Sequence, residues 1–354
     1  MPFVPPFCPH ASCSEHEPTG SFRFQHRGSY RRSCDGMRVP RFSCCTCERR
    51  FSRQTFRFNY RWWRPHVHHD LFRLFVSKVT MRQAARITGL SRDTIARRMR
   101  ALGVQCHAYH RAQLARGSGL AGTFLMDEME TFETDRLVRP VTVPVLIQAH
   151  TLFVIHTETA PLPPRGRLDA YRQLRKLRDE RRFGPRKSGS RQAVRSTLER
   201  LRETLARTEV LNLITDRKSS YRKLVWTLFA NRFGSHVQES SQRRRDRSNP
   251  LFSINHTLAM LRDGVSRLVR RSWGASKLRE RLDDHLWIWV GYRNYVRGIT
   301  ARETRITPAM AAGVTGGPRS SADLFRWRWA DRFHSETASG SGQHPGGVTR
   351  RTES

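Results

Sequence analysis

The sequence predicts an α/β fold in its central part, preceded by two smaller units. Two short apolar runs, Thr123–Phe132 and residues 210–214, have the length and composition of buried strands. Each run delivers an aspartate, Asp127 within the first and Asp216 at the carboxyl end of the second. An acid at the carboxyl end of a buried strand lies where open sheets usually have their active or binding sites. Two such carboxylates on neighbouring strands predict a site for one or two hard divalent cations.

Each aspartate also has a simpler interpretation, in which it ends a strand and starts a turn. Glu128 and Glu130 lie beside Asp127 in the same run. Strand alternation places Glu128 on the opposite face of the strand from Asp127. Neither glutamate is therefore included in the predicted site.

Composition limits the possible functions. The chain has 354 residues, of which 37% are apolar, enough for two or three domains with real cores. Its 65 basic and 30 acidic residues give a formal net charge of +35, which predicts binding to a polyanion, usually nucleic acid. No apolar run reaches membrane-spanning length, and the N-terminus lacks the pattern of a signal peptide. We therefore expect a cytoplasmic protein without membrane association.

Residues 1–60 are predicted to form a zinc ribbon. Cys8 and Cys13 are separated by four residues, and Cys44 and Cys47 by two. Two such pairs of thiolates are typical of a tetrahedral zinc site, which stabilises a unit too small to bury a core of its own. Without an export signal, we expect reduced, metal-binding thiols rather than disulfides.

Other cysteines and one histidine leave alternatives open for this unit. The first pair is widely spaced, and His10 is an alternative ligand to one of its thiols. Cys34 and Cys45 are surplus to a four-ligand scheme. The competing interpretation is a set of scattered free thiols.

Residues 61–105 are predicted to form a helix-turn-helix DNA-binding domain. Ala85 is small where two helices cross, Gly89 follows four residues later at the turn, and Ile95 comes six residues after that to pack the second helix. Ser91 is a natural N-cap for the second helix. That helix would present four side chains to a major groove: Arg92, Thr94, Arg97 and Arg98. An ordinary helical hairpin is the alternative.

The remaining boundaries follow from changes in composition. Residues 106–122, which contain RGSGLAG, are predicted to be a linker. Residues 123–300 form the predicted α/β core, with a strongly basic helical insertion at 161–207 that would follow phosphates. Within the core, between residues 231 and 250, the run ESSQRRRDRSNP is predicted to be polar and mobile. Residues 301–354 form a C-terminal extension that is largely disordered.

Two further expectations concern the core and its C-terminal end. Residues 141–148 and 152–159 are predicted to form an antiparallel hairpin. In the extension, Trp327 and Trp329 are expected to dock on the body of the protein.

The order of these parts resembles an insertion-sequence transposase, with a zinc ribbon, a helix-turn-helix and a catalytic core of the ribonuclease H and retroviral-integrase type. The resemblance covers residues 8–298. It is carried by the two cysteine pairs and three motifs, which are DEMETF at 127–132, TDRKSSY at 215–221 and NHTLAMLRDGVSRLVRRSWGASK at 255–277. The last motif looks like the Asn/Glu-to-Arg-to-Ser-Lys signature of bacterial transposases with short N-terminal zinc domains.

The resemblance implies a metal-dependent acid triad, usually Asp, Asp and Glu, with Asn in the third place in some branches. Asp127 and Asp216 match the first two positions. The third departs from the commonest form, because Asn255 stands in register and the nearest later acid on a suitable helix is Glu280. An amide oxygen can still coordinate a metal held by two carboxylates. Asn255 also has a structural interpretation as a helix N-cap, and Glu280 as a surface charge.

Cofactors and partners follow from the same resemblance. The core would hold Mg²⁺ or Mn²⁺ on Asp127 and Asp216, and the ribbon would hold Zn²⁺. Double-stranded DNA, both the ends of the mobile element and its target, would be the partner. Because transposition holds two DNA ends together, we expect a homo-oligomer on DNA, located in the cytoplasm at the bacterial nucleoid.

Two other functions remain open at this point. One is a transposase-derived DNA-binding protein without catalysis, a repressor or relic, which the missing third glutamate favours. The other is a zinc-ribbon RNA-binding factor, which leaves the two aspartates unexplained. Metal dependence beyond general salt effects separates the transposase from both.

Overall fold

The computed structural model of the chain describes residues 3–16, 22–60, 62, 64, 66–240, 242–244, 246–268, 274–300 and 302–327. Three groups of buried side chains organise this part of the chain. One lies in the N-terminal unit, and the other two lie on opposite faces of a central sheet.

The N-terminal unit is a small antiparallel sheet with an aromatic core. Its strands, in spatial order, are β1 (Phe24–Arg31), β2 (Arg38–Cys44) and β3 (Arg50–Ser52). Phe42 stacks on Phe51 with ring centroids 5.7 Å apart. The same core contains the buried thiols of Cys8, Cys13 and Cys44, so that few apolar side chains and a group of sulfurs share one interior.

Three helices follow, and a tight turn joins the last two. They are α1 (Val67–Val76), α2 (Met81–Thr88) and α3 (Arg92–Arg116). Gly89 ends α2 in the left-handed region, at φ 67°, which glycine adopts without steric cost. The Ser91 side chain accepts a hydrogen bond from the Thr94 backbone N–H and begins α3. The helix boundaries predicted at Gly89 and Ser91 are confirmed.

The predicted linker at 106–122 is wrong over most of its length, because α3 continues without interruption to Arg116. Its second half packs against α8 (Glu280–Tyr295), and Cys106 is fully buried there. Gly103 lies at the crossing, where an added Cβ would come within 2.4 Å of the Asp284 backbone oxygen. In the sequence, the glycine indicates the end of a helix. In the structure, its missing side chain allows α3 and α8 to touch.

A mixed six-stranded sheet forms the centre of the chain. Its strands are β4 (Thr123–Phe132), β5 (Pro140–Gln148), β6 (Val154–Thr157), β7 (Ala160–Pro161), β8 (Leu211–Asp216) and β9 (Phe233–Glu239). The order is β6-β5-β4-β8-β9, with β7 paired to β5. Strands β4, β5 and β6 run antiparallel as the predicted hairpin requires, whereas β4, β8 and β9 run parallel. This architecture confirms the predicted α/β fold.

Strand β9 was not predicted; it lies in the stretch 231–250, where we expected only a polar and mobile run. Its residues, FGSHVQE, are mostly half-buried or exposed, and it lies at the edge of the sheet. An edge strand buries little apolar surface, so its sequence carries only a weak alternating signal.

Helices cover both faces of the sheet. Helices α5 (Ser190–Thr204) and α6 (Ser219–Phe229) share a core with Phe124 and Met126 of β4. Helices α7 (Phe252–Gly264) and α8 share the other core with Leu125 and Met129. In the region predicted as a basic insertion, only α4 (Ala170–Phe183) lacks buried residues, whereas α5 belongs to the core.

The C-terminal extension is ordered up to the last described residue, contrary to the prediction for its first half. Two short helices, α9 (Pro308–Ala311) and α10 (Ser321–Arg326), pack there, and Leu324 is fully buried. Gln105 of α3 donates hydrogen bonds to the carbonyl oxygens of Leu324 and Trp327, both at 2.9 Å. The docking predicted for Trp327 is therefore observed, and Trp329 lies outside the described residues. No helix in the described part of the chain is long and apolar enough to cross a membrane.

Replacing Gly103 by Ala should separate α3 from α8, because the new methyl group would overlap backbone atoms of Asp284 that cannot rotate away. We expect the free energy of unfolding to fall by about 1–3 kcal/mol, measured by denaturant unfolding. Gly117→Ala at the end of the same helix is the matched control, because its nearest atoms lie at an ordinary 3.6 Å. Equal stability of the two variants would contradict the close crossing.

Candidate functional site

The two aspartates lie side by side on neighbouring parallel strands. Met126 of β4 pairs with Thr215 of β8, and Asp127 and Asp216 are the next residues on each strand. Paired strands are about 4.8 Å apart. Both aspartates are half-buried. The structure therefore brings together two carboxylates that are separated in sequence by half of the predicted core.

Both carboxylates project from the same face of the sheet. Successive side chains of a strand alternate between faces, so Asp127 shares a face with Leu125 and Met129, and Asp216 shares one with Ile214. All three apolar residues belong to or pack against the core beneath α7 and α8. The aspartates consequently point towards the layer that contains α7.

The environment of the pair favours a bound cation. Burial and the nearby negative charge of Glu128 raise the pKa of Asp216, although the Lys218 backbone N–H and side chain oppose the shift. Asp127 accepts a hydrogen bond from the Glu128 backbone N–H at 2.7 Å. Because ionised carboxylates at this edge are partly desolvated and repel one another, a divalent cation would relieve both costs.

Glu128 points to the opposite face, as strand alternation predicts, and is the centre of a buried hydrogen-bond network. Its carboxylate accepts from Tyr221 and Thr142 at 2.7 Å, from Ser190 at 2.8 Å, and from the Lys218 ammonium. Burial opposes ionisation of Glu128, but the bonds from Lys218, Tyr221 and Thr142 prevail and lower its pKa.

This network ties together the two segments that carry the aspartates. Glu128 follows Asp127 on β4, and Lys218 lies two residues after Asp216 in the turn that leads into α6. Lys218 also donates to Ser190 at 2.7 Å. Sequence reasoning set Glu128 aside because of its orientation. The signal it overlooked is the pairing of an acid beside the first aspartate with a lysine just after the second.

Asn255 lies in the first part of α7, on the flank of the stripe that faces the sheet. Ile254 and Leu258, both on the same side of Asn255 around the helix, are buried in the sheet-facing core. Leu251 occupies the N-cap position, and the Asn255 backbone N–H already donates to the Leu251 carbonyl oxygen at 3.0 Å. Asn255 is therefore not the N-cap, and its half-buried side chain stays available for another role.

Glu280 lies elsewhere. It is the first residue of α8, its side chain is 66% exposed, and it pairs with Arg279 at 3.5 Å. Ser276, four residues before Glu280, pairs with Glu133, which is beyond the end of β4. Since a strand rises about 3.3 Å per residue, this contact is on the order of 20 Å from Asp127. The structure does not bring Glu280 beside the aspartate pair.

A further carboxylate, Glu239, was missed together with its strand. It pairs with Asp216 across β8 and β9, so the two side chains share a face. Glu239 accepts hydrogen bonds from the Ser240 backbone N–H and the Arg243 guanidinium, both at 2.9 Å, and these lower its pKa. Its charge is therefore already compensated.

In the N-terminal unit, the four predicted cysteines converge. The sulfurs of Cys8, Cys13, Cys44 and Cys47 all lie within 4.8 Å of one another. The Cys8–Cys47 and Cys13–Cys44 sulfur pairs are 3.6 and 3.8 Å apart. A tetrahedron of sulfurs at about 2.3 Å from zinc has edges of about 3.8 Å. The cluster is compatible with a zinc site.

The thiol pKa values in the cluster shift in different directions: burial raises the pKa of Cys8, whereas that of Cys44 is lowered. Burial opposes ionisation of the Cys44 thiol, but backbone N–H groups of Cys47 and Thr46 prevail and lower its pKa. His10, Cys34 and Cys45 are not part of the four-sulfur group. The alternative in which His10 replaces a thiol is therefore not needed.

The residues predicted to contact DNA divide into two sets. Arg92 and Arg97 are exposed, and Thr94 is half-buried and accepts a hydrogen bond from Arg97 at 3.2 Å. Arg98 is only 4% exposed, donates to the Arg64 carbonyl oxygen at 3.2 Å and stacks on Trp62. The prediction for Arg98 is wrong, because the helical phase that buries Ile95 and Met99 also turns Arg98 inward.

Comparison with known proteins gives only distant similarities. No family model matches the chain, and no curated protein matches its sequence. The solved catalytic domain of Mos1 mariner transposase is 16% identical, with a TM-score of 0.23, over 55% of this chain and 86% of that one. The structure of the same domain with raltegravir and magnesium is 15% identical, with a TM-score of 0.23, over 55% of this chain and 89% of that one. The Mos1 strand transfer complex is 14% identical, with a TM-score of 0.25, over 63% of this chain and 73% of that one. TM-scores this low establish no common fold.

Substitutions at Glu128 and Asp216 should change stability in opposite directions. Glu128→Gln removes the charge that holds Lys218 and should cost about 2 kcal/mol at pH 7. Asp216→Asn should stabilise the metal-free protein at pH 8, because a raised carboxyl pKa means that stability is lost as pH rises through it. Urea unfolding with EDTA at pH 5 and pH 8 measures both. Destabilisation by Asp216→Asn at pH 8 would mean that this acid is structural.

Loss of one ligand should abolish zinc binding by the N-terminal unit. We expect about one zinc ion per chain in the purified protein and nearly none in Cys44→Ser, measured by elemental analysis. Cys45→Ser is the matched control, because Cys45 is adjacent and exposed but outside the four-sulfur group. Equal zinc content in the two variants would contradict the assignment.

Proposed function

We propose that this chain is a DNA transposase that binds the terminal repeats of a mobile element and catalyses metal-dependent strand cleavage and strand transfer. The observation that carries the proposal is the in-register placement of Asp127 and Asp216 on one face of a mixed sheet. The net charge of +35 supports a polyanionic substrate.

The donor set at the site fits hard divalent cations such as Mg²⁺ or Mn²⁺. Asp127 and Asp216 would hold them through carboxylate oxygens, and Asn255 would add a neutral amide oxygen. Bound there, such ions supply activation of an attacking hydroxyl group and stabilisation of the leaving oxygen. No covalent enzyme intermediate is required.

Residues of the chain prepare this site. The network around Glu128 holds β4 and the turn after β8 in a fixed relation, so that the aspartates need not move when a cation binds. Phosphoryl transfer depends mainly on such positioning and on electrostatic stabilisation. Asp127 and Asp216 are thus proposed as catalytic residues, and Glu128 and Lys218 as positioning residues.

The N-terminal parts would bind the DNA. Exposed Arg92 and Arg97, with Thr94, lie near the beginning of α3, where a recognition helix contacts base edges. The zinc unit adds a basic surface. Joining two DNA ends requires two such chains, so the proposal includes at least a dimer on double-stranded DNA.

For the third metal ligand, Asn255 is preferred to Glu280. Helix α7 packs on the face to which the aspartates point, whereas Glu280 is exposed and paired with Arg279. Asn255→Ala should reduce strand cleavage at least tenfold, and Glu280→Ala should leave it within twofold, measured under identical metal concentrations. The opposite ranking would transfer the role to Glu280.

The second candidate is a transposase-derived DNA-binding protein without catalysis. The specific observation that favours it is the amide at the third position, which adds no charge to hold a second cation. In that case Mg²⁺ would change DNA binding only as any salt does.

The experiment that tests the proposal compares matched carboxylate-to-amide changes. Purified protein with Mn²⁺ should nick and join strands of DNA taken from both sides of the gene, where the proposal expects short inverted repeats. Asp127→Asn and Asp216→Asn should each lose at least a thousandfold in rate while DNA affinity is retained. Glu130→Gln on the same strand is the control, because Glu130 is exposed and paired with Arg165.

Two results would contradict the proposal. Wild-type protein without any metal-dependent cleavage would support the non-catalytic binder. Loss of folding in both Asp127→Asn and Asp216→Asn, seen by circular dichroism, would mean that the aspartates stabilise the sheet rather than act on DNA.

A further inference from the structure

A cavity of about 710 Å³ lies between α2 and the segment that leads into α8. Six cationic side chains line it, which are Arg82, Arg86, Arg92, Arg267, Lys277 and Arg281. Among the described residues that line this cavity there is no aspartate or glutamate. Arg281 is paired with Asp284 at 3.1 Å, and the concentration of positive charge around one concave space attracts an anion.

Arg267 is the most constrained of these cations. It is 6% exposed, and one terminal nitrogen donates to the Ser276 hydroxyl at 3.1 Å. The other lies 3.4 and 3.8 Å from the sulfurs of Met81 and Met99, which are weak acceptors. Its Nε has no partner in the described part of the chain.

The charge of Arg267 is therefore poorly compensated by the protein. Burial lowers its pKa to about 10. The acid that acts on it, Asp284, is already paired with Arg281 at 3.1 Å. A buried guanidinium without a carboxylate partner is costly, and a bound anion would remove that cost.

The walls of the cavity are fixed to each other, so its shape belongs to the fold. The Lys78 backbone N–H donates to the Gly264 carbonyl oxygen at 2.9 Å, and the Ser266 hydroxyl donates to the Val79 carbonyl oxygen at 3.3 Å. The His285 ring bonds the Phe75 carbonyl oxygen at 2.8 Å. A site that is held open before its ligand arrives binds with little ordering cost.

We propose that this cavity binds a phosphate group of the DNA backbone. Arginine forks suit phosphate oxygens, and Arg92, an exposed residue of the cavity lining, begins the helix that is proposed to read DNA. The proposal thus rests on the proposed DNA binding but not on catalysis. It assigns to this cavity the task of fixing the register of the duplex against the core.

The first test measures phosphate-dependent stability of the full chain. Inorganic phosphate should raise the thermal midpoint above that in sodium chloride of equal ionic strength, since a ligand of the folded state stabilises it. Arg267→Met should abolish this phosphate-specific rise, and removal of the buried charge should raise the midpoint in chloride. Arg100→Ala on exposed α3 surface outside the cavity is the control and should keep the full rise.

A second variant covers the case in which Arg267→Met does not fold. The double change Arg86→Ala with Lys277→Ala alters exposed side chains of the cavity and should halve the phosphate-specific rise or more. If Arg267→Met or the double variant folds and still shows the full phosphate-specific rise in thermal midpoint, the proposal is overturned.

The second test decides between DNA and free phosphate. A buried Arg267 senses DNA only if a phosphate enters the cavity, so Arg267→Met should reduce the slope of log affinity against log salt by about 0.9. An unchanged slope together with a lost phosphate response would mean that the cavity takes free phosphate, which overturns the DNA assignment. Asp127→Asn should behave as wild type in both tests, so a failure of catalysis would be distinguishable from a failure of this proposal.

Discussion

The parallel pairing of β4 with β8 is the constraint on which the rest of the structure depends. It places Asp127 beside Asp216 and directs both to the face covered by α7. A shift of one residue in this register would turn one carboxylate to the opposite face and into an apolar core. The buried bonds around Glu128 act against such a shift, because Lys218 and Tyr221 reach it from the segment after β8. The site and the register therefore stabilise each other.

A second constraint unites the parts that the sequence appeared to separate. Helix α3 contributes Ile95 to the turn with α2 and Cys106 to the contact with α8, so one helix belongs to both units. The bonds from Gln105 to the backbone of Leu324 and Trp327 add the C-terminal segment to the same body. The surface proposed to contact DNA and the sheet that bears the aspartates are consequently parts of one packed core.

The features that were predictable from the sequence have local signals. Strand β4 and the aspartate at the end of β8 follow from apolar runs, the α2–α3 turn from Gly89 and Ser91, and the four-sulfur group from spacing. Arg98 was within reach of the same reasoning, because the periodicity of Ile95 and Met99 already places it inward.

The features that were not predictable depend on distant parts of the chain. Strand β9 gains its partner only from β8, and Gly103 becomes a contact only when α8 lies against it. The bonds of Glu128 come from three separate segments, which no spacing in one stretch reveals. The choice between Asn255 and Glu280 likewise needed the position of α7 over the sheet.

The uninterrupted course of α3 has a geometric consequence for any duplex held at its first turns. A helix of 25 residues is a rod of about 37 Å, and here its far half is clamped by α8. Such a rod transmits orientation as well as distance. If its N-terminal end reads a base sequence, the scissile bond must fall at a set number of base pairs from that sequence and on a set side of the double helix. The length and direction of the helix would then set the distance between the recognised sequence and the cleavage site, because the helix has no hinge that could change it.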